Sequence, residues 1–420
     1  MKAYIETYGC TLNKGDSLIM MKLLTEQGHT IVEREEDADA VILNTCVVRL
    51  ETEERMKQRI RYFSKTGKRL IVAGCMASSQ PGTISKLAPQ ASIIGPQSVS
   101  RISSLLESNE VQVILEPDDP SRYSIFNSGT IAVIPIQDGC ASSCNFCITK
   151  LSRNYLRSFP VRRIKEWVMD AVKKGAKEIE LTGQDLATYG LDLKSGVSLV
   201  DVLEEVTDID GDFYIRIGMM NPEYAFRIID RLLEVMKREK IFKFLHIPVQ
   251  SGDDKVLQLM NRKYTVDEYI SLVNKIRKEL GETTIATDII VGHPGEDDES
   301  FENTLLLMEK LRFDKIHLAM YSPRHNTRSM RMPQIPEKVK KERTRRANEL
   351  YERIAGEIFG SYVGKVVDVI TTEVGKDKSV IGRTISYKPV VVYEFNKLGE
   401  KIQVRITDHS FFDLRGLPSN

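Results

Sequence analysis

The feature that most constrains the fold is a short unit, consisting of an apolar run, a cysteine and a helical pattern, that occurs three times in the first quarter of the chain. The apolar runs are residues 3–7, 40–44 and 69–73. The cysteines that follow them are Cys10, Cys46 and Cys75. The helical patterns lie near residues 17–27, 51–64 and 82–87. Buried strands that alternate with helices predict a parallel α/β sheet.

The carboxyl ends of parallel strands meet at one edge of a sheet, where ligands usually bind. We therefore expect Cys10, Cys46 and Cys75 to converge on one site. Gly9 and Gly74 directly precede two of them, and glycine lets the backbone approach a bulky ligand. On spacing alone, a second interpretation stays open, in which each cysteine is a small buried core residue.

The other three of the six cysteines form a compact C-x-x-x-C-x-x-C run, made of Cys140, Cys144 and Cys147. Iron–sulfur clusters are usually held by four thiolates, so three thiolates leave one iron open for a substrate or cofactor. The alternative is zinc, but structural zinc sites use four ligands, and no further cysteine or nearby histidine follows. Two sets of three cysteines suggest two metal centres, each with one open position.

Residues 116–130 are rich in proline, aspartate, asparagine and glycine, which predicts a linker. A second series of strand and helix patterns then begins, and it predicts a βα barrel of partial or complete TIM type. The compact cysteine run follows its first strand, at the end where barrel chemistry is usually found. The strand predictions are residues 131–136, 178–181, 213–217, 242–247, 284–290 and 315–320.

The last part of the chain changes character twice. Residues 333–354 form a charged helical pattern, and from residue 362 onward short β-rich runs predict a small all-β barrel. The strand runs are residues 366–371, 379–383, 390–393 and 401–406. The densest basic run is on the helix and consists of Lys338, Lys340, Lys341, Arg343, Arg345 and Arg346. It is either a solvated helix face or a local polyanion site.

Composition narrows the function classes. The 420 residues carry a formal net charge of +1, so no global charge favours nucleic acid or membrane binding. No apolar run has the length of a membrane span, and the N-terminal residues show no signal-peptide pattern. A reducing cytoplasm is the expected location, where unpaired cysteines favour metal binding or catalysis over disulfides.

The C-x-x-x-C-x-x-C run resembles that of the radical S-adenosylmethionine enzymes, and the two cysteine sets in this order resemble their methylthiotransferase family. The resemblance covers essentially the whole chain. The motifs that carry it are residues 6–13, 44–46, 74–77, 181–185, 245–252 and 287–296. The C-terminal β-rich part resembles the RNA-binding TRAM domain.

This resemblance implies two 4Fe–4S clusters, held by the two cysteine sets, and S-adenosylmethionine as the cofactor of the second. It also implies a group of cofactor-binding residues around the barrel. They are Phe146, Gly183, Gln184, Gln250, Ser251, Gly292 and Tyr321. No residue is assigned as catalytic.

The motifs around Lys150 and Asn221 are most similar to those of the threonylcarbamoyladenosine group of the family. We expect Lys150, Arg153 and Asn221 to bind the substrate, with the two cations facing the threonylcarbamoyl carboxylate. Isopentenyladenosine in tRNA and an aspartate of a ribosomal protein are alternative family substrates. An RNA-binding metalloprotein without catalysis is the alternative from another class.

The combined prediction is a tRNA methylthiotransferase with three domains, acting on the adenosine beside the anticodon. Residues 1–116 form the first domain, a parallel α/β sheet. Residues 130–355 form the second, a radical S-adenosylmethionine barrel, and residues 360–420 form the third, an all-β TRAM barrel. We expect a monomer with tRNA as its partner and no membrane association. The sulfur donor and electron donor are not identified by the sequence.

Overall fold

A computed structural model describes residues 1–119, 123–127 and 129–419. Its N-terminal part is a parallel sheet in which the six strands lie in the order second, first, third, fourth, fifth and sixth, and helices connect most of them along the chain. The elements are β1 (Lys2–Thr7), α1 (Thr11–Glu26), β2 (Thr30–Val32), β3 (Ala40–Thr45), α2 (Leu50–Phe63), β4 (Arg69–Gly74), α3 (Cys75–Ser79), α4 (Pro81–Leu87), β5 (Ser92–Ile94), α5 (Ile102–Glu107) and β6 (Val113–Ile114). The predicted parallel α/β sheet is confirmed.

Helix α1 begins six residues earlier than the sequence pattern indicates. Its first turns contain Asn13, Gly15 and Asp16, which are weak helix formers and look like a loop in the sequence. They are helical because this end of α1 is buried against the second part of the chain, where a Cβ on Gly15 would collide with Pro135. Tertiary packing therefore decides where α1 begins.

The middle part of the chain contains two parallel three-stranded sheets, ordered β11-β10-β7 and β12-β13-β14. A bridge between Ile215 and Ile241 joins them into a partial barrel of six strands. The predicted six strands are all present. The elements are β7 (Ile131–Pro135), β8 (Gln137–Asp138), α6 (Thr149–Ser152), β9 (Arg157–Ser158), α7 (Val161–Lys173), β10 (Glu178–Thr182), α8 (Leu199–Thr207), β11 (Tyr214–Ile217), α9 (Pro222–Met236), β12 (Phe244–His246), α10 (Asp254–Leu259), α11 (Val266–Leu280), β13 (Thr284–Val291), α12 (Asp298–Leu311) and β14 (Lys315–Met320).

The C-terminal part is a closed barrel with the strand order β15-β16-β17-β19-β18, preceded by a long helix. Four of its strands match the predicted runs, while the fifth, which contains Gly416 and Pro418, has no strand pattern in the sequence. That strand pairs with both β17 and β18 and closes the barrel. The elements are α13 (Glu337–Gly360), β15 (Val366–Val374), β16 (Val380–Arg383), β17 (Pro389–Val392), β18 (Lys401–His409) and β19 (Leu414–Pro418).

The small barrel packs against the amino ends of the central strands. Tyr387 lies between Phe242 and Phe244, with ring centroids 4.9 and 5.0 Å away. The buried ammonium of Lys388 donates to Asp314 at 2.8 Å. Because this contact lies at the amino ends of the strands, it leaves their carboxyl ends free to carry a site.

The segment predicted as a linker lies partly outside the described residues, which omit residues 120–122 and 128, as well as residue 420 of the predicted third domain. Its described residues form no helix or strand, but they are packed: Tyr123 is buried and its hydroxyl donates to Asp118. Among the described residues, no helix has the length and apolar character needed to cross a membrane.

Candidate active site

The first cysteine set lies at the carboxyl edge of the N-terminal sheet, where β1, β3 and β4 end. Cys10 caps α1, Cys46 follows β3, and Cys75 opens α3. Gly9 has a φ of +107°, and a Cβ at this position would lie 2.9 Å from the Cβ of Cys46. The loop that carries Cys10 can approach Cys46 only because residue 9 is glycine.

Asn13 connects the three loops of this edge. Its side-chain nitrogen donates to the carbonyl oxygens of Tyr8 at 2.8 Å and Thr45 at 2.9 Å. Its side-chain oxygen accepts from Cys75 Sγ at 3.6 Å. The sequence analysis assigned Asn13 no role, although it lies in one of the motifs. A buried amide that bonds to all three loops holds the cysteines in place.

The second cysteine set lies in the loop after β8, at the carboxyl end of the first barrel strand. Gly139 has a φ of +76°, so the residue before Cys140 again has a conformation that favours glycine. The backbone nitrogen of Ser142 donates to Cys140 Sγ at 3.3 Å, and Arg262 Nη1 donates to Cys144 Sγ at 3.4 Å. The sulfur atoms are therefore oriented by donors that favour thiolates.

The spacing of the sulfur atoms bears on which metal group they could hold. In neither cysteine set, both of which are fully described, do all three sulfur atoms lie within 4.8 Å of one another. A single tetrahedral zinc ion with bonds of about 2.3 Å would hold its thiolates about 3.8 Å apart. A cubane binds each thiolate through a different iron and needs a wider spacing. The sulfur positions therefore do not match a single zinc ion held by all three thiolates of a set.

Burial favours the protonated form of Cys46, Cys75, Cys140 and Cys147. It raises the pKa of Cys75 to about 12 and, with Asp185 as a second cause, the pKa of Cys140 to about 12. It also raises the pKa of Cys46 and of Cys147. Because metal ligands must be thiolates, iron binding would have to displace these protons, which couples the two processes.

A cavity of about 140 Å³ opens beside the second cysteine set. Nine of the predicted site residues line this cavity. They comprise the three cysteines of the compact run, the three residues predicted to bind the substrate, and three of the seven residues predicted to bind the cofactor. They are Cys140, Cys144, Cys147, Phe146, Lys150, Arg153, Gln184, Asn221 and Gln250. The other lining residues are Ser142, Thr149, Asp185, Met219, Pro248 and Arg262.

Four residues predicted to bind the cofactor do not line the cavity. Gly183 packs beside Leu186, and Ser251 lies within hydrogen-bond distance of Thr304. Gly292, with a φ of +79°, leaves room for the side chain of Lys340, while the Tyr321 ring lies 5.3 Å from that of His293. The His293 ring in turn lies 6.4 Å from Phe146, so this group supports the cavity wall from behind.

Gln250 has the features of a ligand-binding residue. It is not glycine, yet its φ is +75°, which costs conformational energy. Its side-chain oxygen is buried and has no hydrogen-bond partner among the described residues. An unpaired buried acceptor beside a cavity is costly unless a bound molecule supplies a donor. The ammonium group of S-adenosylmethionine would supply one, so Gln250 fits that cofactor.

Arg153 lines the cavity, but its charge is already paired, which corrects the prediction that it captures a substrate carboxylate. The side chain is 0% exposed. It forms an ion pair with Asp16, donates to Asp138 at 2.9 Å, and donates to Asn13 at 2.9 Å. Through Asn13, which also bonds to Cys75, this guanidinium links the two cysteine sets.

Few of the partners that surround the cavity residues could be recognised from local sequence. Asp185 stands in one of the quoted motifs, and its carboxylate accepts from the backbone nitrogen of Asn221 at 2.8 Å. Arg262, which contacts Cys144, carried no signal at all. Asp16 lies 137 residues from Arg153 along the chain, so only the fold shows that they meet.

The basic run on α13 is divided between buried and surface cations, and most of its charges are already paired. Lys340 and Arg343 are buried, and Arg343 pairs with Glu296 and Asp298. Both Arg345 and Arg346 pair with acidic side chains. In the described part of the chain, only Lys338 and Lys341 of the six have no ion pair.

Comparison with known protein families divides the chain into three matches. Residues 2–95 match "Uncharacterized protein family UPF0004", residues 134–308 match the "Radical SAM superfamily", and residues 360–417 match the "TRAM domain". The middle match contains the compact cysteine run and most of the cavity.

Relatives align along nearly the whole chain. A protein from Pyrococcus horikoshii, named "Probable threonylcarbamoyladenosine tRNA methylthiotransferase", is 38% identical over 97% of this chain and 96% of its own. A protein from Fervidobacterium nodosum, named "tRNA-2-methylthio-N(6)-dimethylallyladenosine synthase", is 34% identical over 99% of this chain and 98% of its own. The two names differ in the nucleoside that is modified.

Among solved structures, the methyltransferase TsrM from Kitasatospora setae, whose description includes cobalamin and a [4Fe-4S] cluster, has a TM-score of 0.59. The alignment covers 78% of this chain and 76% of that one, at 12% identity. At this identity the likeness concerns the fold alone.

Proposed function

Because the chain belongs to the radical S-adenosylmethionine methylthiotransferase family and is therefore a transferase, we propose that it methylthiolates threonylcarbamoyladenosine beside the anticodon of tRNA. The hydrogen on carbon 2 of the adenine ring is replaced by a methylthio group. The observation that carries this proposal is the placement of two open cysteine sets on either side of one buried arginine, Arg153. Family membership removes the non-catalytic alternative.

The first finer proposal is that each cysteine set holds a 4Fe–4S cluster. Cys10, Cys46 and Cys75 hold one, and the compact run holds the other. The three free cysteines of each set and the glycines before Cys10, Cys75 and Cys140 support this assignment. Three cysteine ligands at each cluster leave one iron free. The free iron of the first cluster would bind the sulfur that is transferred, and the free iron of the second would bind S-adenosylmethionine.

When bound, the second cluster and S-adenosylmethionine supply one-electron cleavage that yields a carbon-centred radical. The chain's own residues orient that chemistry. Gln250 offers its unpaired side-chain oxygen to the cofactor's ammonium group. Gln184 accepts a bond from the backbone of Gly139 at 2.9 Å and so holds the loop that precedes Cys140. We propose Phe146, Gly183, Ser251, Gly292 and Tyr321 as further cofactor-site residues, the last four by shaping the wall.

On the substrate side, we propose contacts by Lys150 and Asn221. The Lys150 ammonium donates to the carbonyl oxygen of Cys140 at 2.5 Å, which leaves two of its three protons for a ligand. Asn221 lines the cavity and caps α9 with its side-chain oxygen. Arg153 contributes by holding the two cysteine sets together rather than by binding a carboxylate.

The remaining parts of the proposal follow from this reaction. The TRAM barrel binds tRNA, together with Lys338 and Lys341 at the far end of α13, and the enzyme works as a cytoplasmic monomer. The three domains are residues 1–116, 130–355 and 360–420. The sulfur and electron donors are separate small molecules or proteins that the chain itself does not identify.

The test is to supply reconstituted enzyme, S-adenosylmethionine, a reductant and sulfide with tRNA that carries threonylcarbamoyladenosine. Nucleoside mass spectrometry should then show the 2-methylthio derivative. Matched tRNAs that carry unmodified adenosine or dimethylallyladenosine should react poorly. Equal or better reaction of the dimethylallyl tRNA would favour the second relative's activity, and modification of a ribosomal protein in place of tRNA would refute the proposal.

A further inference from the structure

The interior of the central barrel is polar below the cofactor cavity. Residues along a strand alternate between its two faces, so His246, Asp288 and His317 face the interior while their neighbours pack under the helices. The neighbours that are buried in the core are Leu245, Ile247, Ile289 and Ile316. We call this space the lumen. The side chains of His246, Asp288 and His317 come from the adjacent strands β12, β13 and β14.

The three side chains form one cluster that solvent can reach. His246 Nε2 lies 2.7 Å from Asp288 Oδ1, and the rings of His246 and His317 lie 5.2 Å apart. One nitrogen or oxygen of each residue lies within 4.8 Å of the others. The side chain of Asp288 is 32% exposed, and His317 is exposed. The cluster is thus open to a ligand.

The charges around the cluster favour an anion. Lys315 lies two residues before His317 on the same face of β14, about 7 Å away, and no carboxylate lies within ion-pair distance of it in the described chain. Burial is the main cause that lowers the pKa of Lys315, and the nearby cations Arg216 and Arg383 lower it further. Arg49, from the N-terminal part, also acts on His317, whose pKa falls to about 4 mainly because the surrounding protein partly displaces water from the ring. Asp288, the carboxylate of the cluster, is already bonded to His246, and the nearby Glu180 and Glu373 pair with Arg216 and Arg383.

A divalent cation is the other ligand that two imidazoles and a carboxylate could hold. Lys315 and Arg49, the two fixed cations beside His317, would repel a divalent cation. Asp288 would also have to give up its bond to His246. A neutral imidazole and a lysine without an acidic partner instead offer N–H donors to an anion. The surroundings of the cluster therefore favour an anion over a divalent cation.

The cluster lies directly under the cavity described above. The backbone nitrogen of Gln250, a cavity residue, donates to the carbonyl oxygen of Asp288 at 2.8 Å. The backbone nitrogen of Met220 donates to the carbonyl oxygen of His246 at 3.0 Å, and its neighbour Met219 lines the cavity. A base in the cavity would therefore be within reach of the lumen.

We propose that Lys315 and His317 bind the carboxylate of the threonylcarbamoyl group, with His246 and Asp288 fixing the adjoining wall. This inference rests on the proposed function. Carbon 2 and the N6 substituent of adenine lie on opposite sides of ring nitrogen 1. The outward bonds at these two positions point in different directions, so a base whose carbon 2 faces the cysteine sets can place its N6 group in the lumen.

This assignment makes the lumen the element that selects between family substrates. A dimethylallyl group needs an apolar wall and would leave Lys315 and Asp288 facing hydrocarbon. A threonylcarbamoyl group carries one negative charge, which Lys315 complements. Arg153, by contrast, cannot supply that charge, because Asp16 and Asp138 already pair with it.

The test uses anticodon stem-loops that carry threonylcarbamoyladenosine or its methyl ester, with the reconstituted full-length enzyme. The ester keeps the shape of the substrate but removes its charge. The native enzyme should prefer the acid, and Lys315→Met should raise KM for the acid about 10-fold or more, the worth of a hydrogen bond to a charged group. The ratio of kcat/KM for acid over ester should then fall toward one. Lys86→Met, an exposed lysine on α4, is the matched control and should leave the ratio unchanged.

An unchanged ratio in Lys315→Met and in His317→Leu would overturn the inference. If the native enzyme did not modify the acid stem-loop at all, the proposed function would fail instead, whatever the variants do. Stoichiometric binding of Co²⁺ by the loaded enzyme, with visible bands that disappear in His317→Leu, would also overturn the inference, because it would assign the cluster to a metal.

Discussion

Replacement of Arg153 by methionine should destabilise the protein strongly, because it leaves buried carboxylates without their cation. Among the described residues, Asp16 loses its only ion-pair partner, while Asp138 keeps Arg157, whose Nη2 lies 3.1 Å away. Breaking a buried pair by removing one partner costs about 3–5 kcal/mol. For a cooperative unit of 150–250 residues, this corresponds to a fall of about 6–20 °C in the unfolding midpoint.

The assay is thermal unfolding of the metal-free protein under reducing conditions, followed by circular dichroism. The matched control is Arg162→Met, whose side chain is 85% exposed and pairs with Glu166. It should change the free energy of unfolding by less than about 1 kcal/mol. The double variant Arg153→Met with Asp16→Asn should recover part of the loss, because it removes the unpaired charge.

The loss should also depend on pH. Burial already raises the pKa of Asp16 to about 7 in the folded protein, and removal of Arg153 would raise it further. A carboxyl whose pKa is higher in the folded state than in the unfolded state destabilises the fold increasingly as pH rises above about 4. The loss in free energy of unfolding caused by Arg153→Met should therefore be smallest at pH 5 and largest at pH 8. A midpoint equal to that of Arg162→Met at both pH values would refute the assigned role of Arg153.

Two further predictions concern the cluster sites and the RNA surface. Cys144→Ala should abolish the reductive cleavage of S-adenosylmethionine, measured as 5′-deoxyadenosine. Cys46→Ala should retain this cleavage but form no methylthio product. Loss of cleavage in both variants would mean that the two cysteine sets are not independent. Lys338→Glu and Lys341→Glu should each weaken tRNA binding and reduce the slope of log affinity against log salt by about 1, and an unchanged slope would remove α13 from the RNA surface.

The sequence was most informative where one local pattern determined the geometry. Parallel strands place their carboxyl ends at one edge, so Cys10, Cys46 and Cys75 could be expected to meet from their positions alone. The glycines at positions 9 and 74 have positive φ angles, as their place before a cysteine suggested. These inferences needed no knowledge of distant partners.

The sequence was least informative where charge partners come from elsewhere in the chain. A cation at position 153, close to the compact cysteine run, looked available for a substrate, because nothing local marked Asp16 as its partner. Likewise, the cations of α13 looked like a free basic face, whereas Arg343 and Arg346 pair with acids near and on α12. Strand β19 was missed because its pairing on both edges, rather than its own residues, makes it a strand.

The most direct test of the two-cluster account is the iron content of the anaerobically reconstituted enzyme, measured together with acid-labile sulfide. Two cubanes predict about eight irons per chain, and replacement of Cys10, Cys46 and Cys75 by alanine should leave about four. The remaining four should still support cleavage of S-adenosylmethionine. A fully active native enzyme with about four irons, or an iron content unchanged by the triple replacement, would contradict the account.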